Sequence, residues 1–227
     1  MLGTLYVVAT PIGNLADLTF RAEMTLKSVD LIAAEDTRTS RKLLRHYDIE
    51  TPLIAYHDNN EINQAIKLVD KLKNGNTIAI ISDAGTPGIS DPGYRVVNLA
   101  SKENIKVVTI PGPSAVTAAL SVSGIPTDHF YFEGFLPPKK GRKTRFEILE
   151  SLPATVVIFE SPQRVIRTLR DIHNYWGYRI ISVCRELTKM YEETFLGTVT
   201  DAEAYFSKSK PKGEFVLLVA KKGYTLD

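Results

Sequence analysis

Ser82-Asp83-Ala84-Gly85-Thr86-Pro87-Gly88-Ile89-Ser90-Asp91-Pro92-Gly93 follows directly on the short apolar run Thr77–Ile81. Five of these twelve residues are Gly or Pro, and two are aspartates. Glycine lets a backbone come close to a bound molecule, and proline holds a loop in one shape. A connection that is both close-approaching and stiff suits a small-molecule surface at the end of a strand. It also contains the elements of a helix start, with Asp91 as cap and Pro92 in the first turn. Both roles are assigned: Asp91-Pro92 as the cap, and Asp83 through Ile89 as the ligand surface.

Outward from this loop, short apolar runs alternate with segments of helical period. Strands are predicted at Thr4–Ala9, Leu31–Glu35, Pro52–Tyr56, Thr77–Ile81 and Lys106–Ile110, and helices at Ala16–Ser28, Thr37–His46, Asn60–Lys73 and Gly93–Glu103. In the third helix Ile62, Ala65, Ile66, Val69 and Leu72 are expected on one core-facing side. Strand–helix alternation implies an α/β fold with a mostly parallel sheet. The second half is mixed, with strands expected at 130–134, 155–160, 180–185, 191–196 and 214–220, and helices at 142–152, 163–175 and 202–207. Some of its pairing should be antiparallel, because two strands follow closely on one another. The Pro/Gly-rich turn and small-residue helix of PGPSAVTAALSVSG (111–124) divides the chain into an N-terminal lobe, 1–112, and a C-terminal lobe, 113–227.

The 227 residues are 44% hydrophobic and 24% charged, an ordinary globular balance, with no run near the ~20 apolar residues of a membrane helix. The opening MLGTLYVVATPIG has no basic leader and reads as a strand rather than an export signal, so a cytoplasmic protein without membrane association is expected. Cys184 is the one cysteine and the four histidines are scattered, which argues against a disulfide or a metal site. A net charge of +2 names no partner, so any nucleic-acid reading depends on local patches.

Two such patches exist. Arg38, Arg41, Lys42 and Arg45 fall at i, i+3, i+4 and i+7, one stripe of a helix that could hold phosphates or simply be a solvated face. Lys139-Lys140-Gly141-Arg142-Lys143-Thr144-Arg145 places five cations in seven residues after Pro137-Pro138, a backbone-contact patch or a solubilising loop. In open α/β sheets ligands sit beyond the carboxyl ends of strands. The other segments expected there are Thr10–Leu15, Asp36–Arg41, Pro111–Ala115, Phe159–Arg164 and Cys184–Lys189. Ser114 and Ala115 open a helix whose N–H groups could meet a ligand, or Ser114 could be a cap only. There is no GxGxxG and no GxxxxGK[ST], which disfavours dinucleotide and nucleoside-triphosphate cradles.

ATPIGNLADLT, AAEDTRTSRKLL, ISDAGTPGISDPG, IPGPSA, FESPQR, CRELTK and GEF, in that order and across nearly the whole chain, resemble the signatures of the ribosomal RNA small-subunit methyltransferase I family. That family is one branch of the tetrapyrrole-methylase-like (class III) methyltransferases. The resemblance implies two α/β lobes with S-adenosyl-L-methionine in the cleft. It implies 2′-O-methylation of a cytidine ribose in the decoding region of 16S rRNA, in the small ribosomal subunit, by a homodimer acting on RNA rather than DNA. Matched by motif, the cofactor contacts are Pro11, Asp83, Ala84, Gly85, Gly88, Ile89, Ser114 and Ala115, with Phe159, Leu187 and Gly213 from the second lobe. RNA contacts are expected at Arg38, Arg41, Lys42 and Arg45 and at Lys139, Lys140, Arg142 and Lys143. Asp36 and Glu186 are the candidate proton acceptors, with Lys189 and Arg38 as phosphate or hydroxyl partners. TPIGN stands where tetrapyrrole-modifying relatives carry a glycine-richer turn, favouring the RNA branch over a small-molecule methylase. A non-catalytic RNA-binding assembly factor is the third alternative. Many family members continue well beyond the GEF strand, whereas this chain ends at Asp227, which leaves the target nucleotide less specified than the cofactor.

Overall fold

Leu31–Ala34 (β2) and Ile78–Ile81 (β4) bury every side chain, as central strands of a parallel sheet covered on both faces must. They belong to a five-stranded sheet with Thr4–Val8 (β1), Leu53–Ala55 (β3) and Lys106–Ile110 (β5), in the order β3-β2-β4-β1-β5 and parallel throughout. The computed structural model describes residues 1–226 and divides into two compact units, Met1–Ser114 and a second from Ala115 onward.

In the first unit, Phe20–Ser28 (α1) and Thr37–His46 (α2) cover one face of the sheet. Leu26, Leu43 and Leu44 pack there on Val8, Ile32 and Ile81. Glu61–Lys73 (α3) and Tyr94–Lys102 (α4) cover the other, where Leu68, Leu72 and Val96 pack on Leu5, Ile78 and Ile80. Three details depart from the sequence reading. The helix expected over 16–28 is interrupted: a 3₁₀ turn at Leu15–Asp17 ends before Thr19, whose hydroxyl accepts from the Ala22 amide at 3.1 Å and starts α1. Such a cap is worth ~1 kcal/mol. The buried side of α3 is Ala65, Leu68, Val69 and Leu72, while Ile62 and Ile66 are more than half exposed, so the apolar stripe is rotated from the expected one. Asp91 does not cap α4; Gly93 holds that position, with no side-chain cap bond.

The second unit has a mixed sheet ordered β6-β7-β10-β8-β9, from Phe130–Phe135 (β6), Thr155–Glu160 (β7), Ile180–Arg185 (β8), Glu193–Thr198 (β9) and Phe215–Val219 (β10). β6 and β7 run parallel, and β10 is antiparallel to both β7 and β8. β8 and β9 are antiparallel, as their closeness in sequence implied. Ala115–Val122 (α5), Arg142–Glu150 (α6), Val165–Trp176 (α7) and Val199–Phe206 (α8) complete it. β9 begins two residues later than expected because a turn, Glu192 amide to Lys189 carbonyl, takes up Tyr191 and Glu192. α8 begins three residues earlier because Thr198 caps it through the Asp201 amide. No helix of the described residues is long and apolar enough to cross a membrane.

Candidate active site

The strand order of the first unit creates a switch point. From β1 the chain crosses toward β2 and β3, and from β4 it crosses the opposite way to β5, so the carboxyl ends of β1 and β4 open a crevice between diverging connections. At that place Thr10 and Gly85 exchange two backbone hydrogen bonds, 2.9 and 3.0 Å, tying the loop after β1 to the loop after β4. The Thr10 hydroxyl donates to the Ser82 carbonyl at 3.2 Å, and that of Thr86 to the Pro113 carbonyl at 3.4 Å. The Asp36 amide donates to Asp83 Oδ1 and the Asp83 amide to Glu35 Oε2. Loops from four strands are thus sewn into one rim.

The loop 82–93 is shaped by residues that tolerate left-handed backbone. Gly85 has φ +79°, Gly88 +84° and even Ser90 +64°. At Gly93 a Cβ would lie 2.9 Å from the Gly88 amide nitrogen, so only glycine lets the loop fold back on itself there. Pro11 and Gly85 are buried in the rim, whereas Asp83, Ala84, Gly88 and Ile89 stand exposed on it.

Negative charge collects at the same rim. Asp36 caps α2 through the Arg38 amide and is gripped by the Arg38 guanidinium at 2.7 and 3.1 Å; these bonds hold its carboxyl well below the usual range. Glu35, Asp83 and Asp91 have no ion-pair partner among the described residues. Burial pushes Glu35 up, against the pull of the Asp83 amide. Burial, with the Glu35 carboxylate next, pushes Asp91 up to about 7. Released from the capping role that its sequence context suggested, Asp91 meets the Ser82 side chain instead. The signal for this was Gly93, the better residue for a cap with unusual dihedrals.

In the second unit, antiparallel β10 starts where β7 and β8 end, pairing Phe215 with both Glu160 and Arg185. Phe159, Leu187 and Gly213 are therefore gathered at one end of the three central strands of that sheet. The turn after β8 is strained: Glu186 and Thr188 both have positive φ, 51° and 68°. Glu186 Oε1 accepts from Lys189 Nζ at 2.9 Å and from the Glu214 amide at 3.0 Å. Burial raises its carboxyl, but these partners outweigh it and leave it lowered. At Gly213, with φ +88°, a Cβ would fall 2.4 Å from Glu186 Cγ, so a side chain there would be strained and would push the Glu186 carboxylate from its place.

A family model described as tetrapyrrole (corrin/porphyrin) methylases matches residues 4–203. A protein named "Ribosomal RNA small subunit methyltransferase I" from Halalkalibacterium halodurans is 51% identical over 97% of this chain and 77% of its own. Its namesake from Thermotoga maritima is 46% identical over 97% of this chain and 100% of its own. The chain belongs to the ribosomal RNA small subunit methyltransferase I family. Among solved structures, a diphthine synthase superposes with TM-score 0.75 at 10% identity, covering 98% of this chain and 91% of the other. A uroporphyrin-III-C-methyltransferase from Thermus thermophilus gives 0.65 at 17%, covering 96% and 94%. These structures share the class III methyltransferase fold.

As a member of the small subunit methyltransferase I family the chain is a methyltransferase, and the family's motifs fall on strand ends. Ala115 is the first residue of α5, and Ser114 directly precedes it. Arg38, Arg41, Lys42 and Arg45 are all exposed on α2; Arg38 is held by Asp36, and the other three have no ion-pair partner among the described residues. Lys139, Lys140 and Lys143 are exposed, Lys143 lying 3.8 Å from Glu147. The expectation that Arg142 is an RNA contact is corrected. It is 5% exposed, bound to Asp171 at 2.7 Å, because α6 starts at this residue and turns it inward onto α7.

Proposed function

We propose that the chain transfers a methyl group from S-adenosyl-L-methionine to the ribose 2′-hydroxyl of a cytidine in 16S rRNA, acting in the cytoplasm on the small ribosomal subunit as a homodimer. The observation that carries this reading is near-full-length identity of 46–51% to relatives named ribosomal RNA small subunit methyltransferase I.

The rim of the first unit fits the cofactor's chemistry. Its uncompensated carboxylates suit a ligand with a cationic sulfonium and an ammonium group, and its left-handed glycines allow close backbone approach. Pro11, Asp83, Ala84, Gly85, Gly88, Ile89, Ser114 and the adjoining Ala115 would hold it. When bound, it supplies a methyl group already activated by positive sulfur. The chain's own task is to hold a ribose oxygen in line, within ~3–3.5 Å, an ordering that supplies ~7–11 kcal/mol of the barrier. Arg41, Lys42 and Arg45 serve that task by neutralising phosphates beside the rim. As the oxygen bonds to the methyl carbon its proton must leave. Asp36 and Glu186 are proton-accepting candidates, but the cations that orient them also weaken them as bases. Asp91 joins them, because a group poised near neutrality exchanges protons most effectively at cellular pH.

The test is transfer of labelled methyl from S-adenosyl-L-methionine to small subunits from cells lacking this protein, with a porphyrinoid as competing acceptor. Label in the RNA is expected. Label in the porphyrinoid alone, or RNA binding with no turnover, overturns the reading.

A further inference from the structure

Leu136-Pro137-Pro138 leads from β6 into the exposed pair Lys139-Lys140, and its backbone has a bonding deficit. Two of the three residues lack an N–H, so the segment cannot be stitched by its own turns, and its carbonyls need donors from elsewhere. Three arginines provide them in succession. Arg164 Nη2 donates to the Leu136 carbonyl at 2.6 Å, Arg142 Nη1 to that of Pro137 at 3.2 Å, and Arg167 Nη1 to that of Pro138 at 3.1 Å.

The three guanidiniums are themselves fixed by one polar network. Glu160, 2% exposed at the end of β7, pairs with Arg164 and accepts from the Thr168 hydroxyl at 2.6 Å. Thr168 accepts in turn from Arg142 Nη2 at 2.8 Å, and Asp171 receives Arg142 at 2.7 Å with Arg167 at 3.7 Å. Beyond the clamped carbonyls, Gly141 at φ +81° and the Arg142 amide on the Lys139 carbonyl at 3.2 Å close the turn. The two lysines at its tip have no ion-pair partner among the described residues.

We propose that Arg142, Arg164 and Arg167 are positioning residues that lock the Leu136–Gly141 turn so that Lys139 and Lys140 meet an RNA phosphate backbone as a preformed pair. The inference rests on the reading of this turn as an RNA contact. A planar fork with several donors can hold a carbonyl and a carboxylate at once, which a lysine ammonium does less well. Holding the turn rigid removes the ordering cost that a free loop would meet on binding.

Arg167 is exposed enough to be changed without unfolding the chain. The experiment compares Arg167→Ala, Arg167→Lys, Arg142→Lys and the double variant Lys139→Ala/Lys140→Ala. The readouts are trypsin cleavage after Lys139 and Lys140 mapped by mass, and KM and kcat for small-subunit RNA. For Arg167→Ala we expect unchanged melting, several-fold faster cleavage at the turn, and KM for RNA raised about threefold to tenfold. Its kcat and its affinity for S-adenosyl-L-methionine should stay unchanged, and Arg167→Lys should restore part of the loss. Arg142→Lys should act in the same direction. If the lysine double raises KM while Arg167→Ala alters neither cleavage nor KM, the clamp is overturned and the RNA contact stands. If the lysine double leaves KM unchanged, the turn does not touch RNA and the surface reading falls with the clamp's purpose.

Discussion

On α2, Arg41, Lys42 and Arg45 stand exposed and unpaired among the described residues, whereas in the run 139–145 Arg142 is buried on Asp171 and Arg145 is held by Glu133 and Tyr131. The two segments have similar charge density in the sequence. What separates them is the supply of carboxylates. α2 contains no acidic residue, so no i,i+4 partner exists on the helix itself, and Asp36 at its cap engages only Arg38. The 139–145 run instead faces α7 and β6, which present Asp171 and Glu133. Free positive charge is therefore a property of the fold, and only an upper limit on it can be counted in the sequence.

The sharpest way to break this contrast is by stability. Arg142→Ala takes from Asp171 its nearer cation and from the Thr168 hydroxyl its donor, and should cost ~3–5 kcal/mol in denaturant melts. Arg41→Ala should change stability by no more than ~0.5 kcal/mol. Equal effects would mean the two patches are energetically alike.

By RNA affinity the order reverses. The triple variant Arg41→Ala/Lys42→Ala/Arg45→Ala should lower the slope of log Kd against log salt by about 2–3, and Lys139→Ala/Lys140→Ala by about 1–2. Titrations at several salt concentrations decide it, and a larger change from the second would place the main contact in the wrong unit. Asp36→Ala sharpens the picture further: thermal melts should show a small loss with the helix cap, while RNA affinity holds or rises because Arg38 is released.

The smallest expected effect concerns Asp91. Its pKa is raised from 3.8 to about 7 in the fold, so its contribution to stability is complete below 3.8 and is lost as pH rises through about 7. Asp91→Asn, which imitates the protonated form, should match the parent near ~pH 3.5 and melt a few degrees higher near ~pH 8. Equal melting at both pH values contradicts a carboxyl held neutral.

The first unit was readable from periodicity because each strand is a bounded apolar run and each helix has a stripe; Lys106–Ile110 and Thr37–His46 fall where the pattern puts them. The errors share a cause. On α3, Ile66 fits a helical stripe as well as Leu68 does, and only packing against α4 and the sheet chooses between them. Asp91 carries a capping sequence, but the φ of Gly93 moves the cap downstream and leaves the carboxylate at the rim. At the candidate site the loops were readable because Gly and Pro mark them. The partner of Arg142 was not, since an ion pair between residues 142 and 171 leaves no local pattern, whereas Asp36 and Glu186 are paired within their own turns, by Arg38 and Lys189.

The central claim is methyl transfer to a ribose in small-subunit RNA. Mass mapping of small-subunit RNA, from cells lacking this protein, after incubation with the purified chain and S-adenosyl-L-methionine tests it most directly. A single new 2′-O-methylated cytidine is the predicted result. An unaltered RNA, or methylation confined to a base, would contradict it.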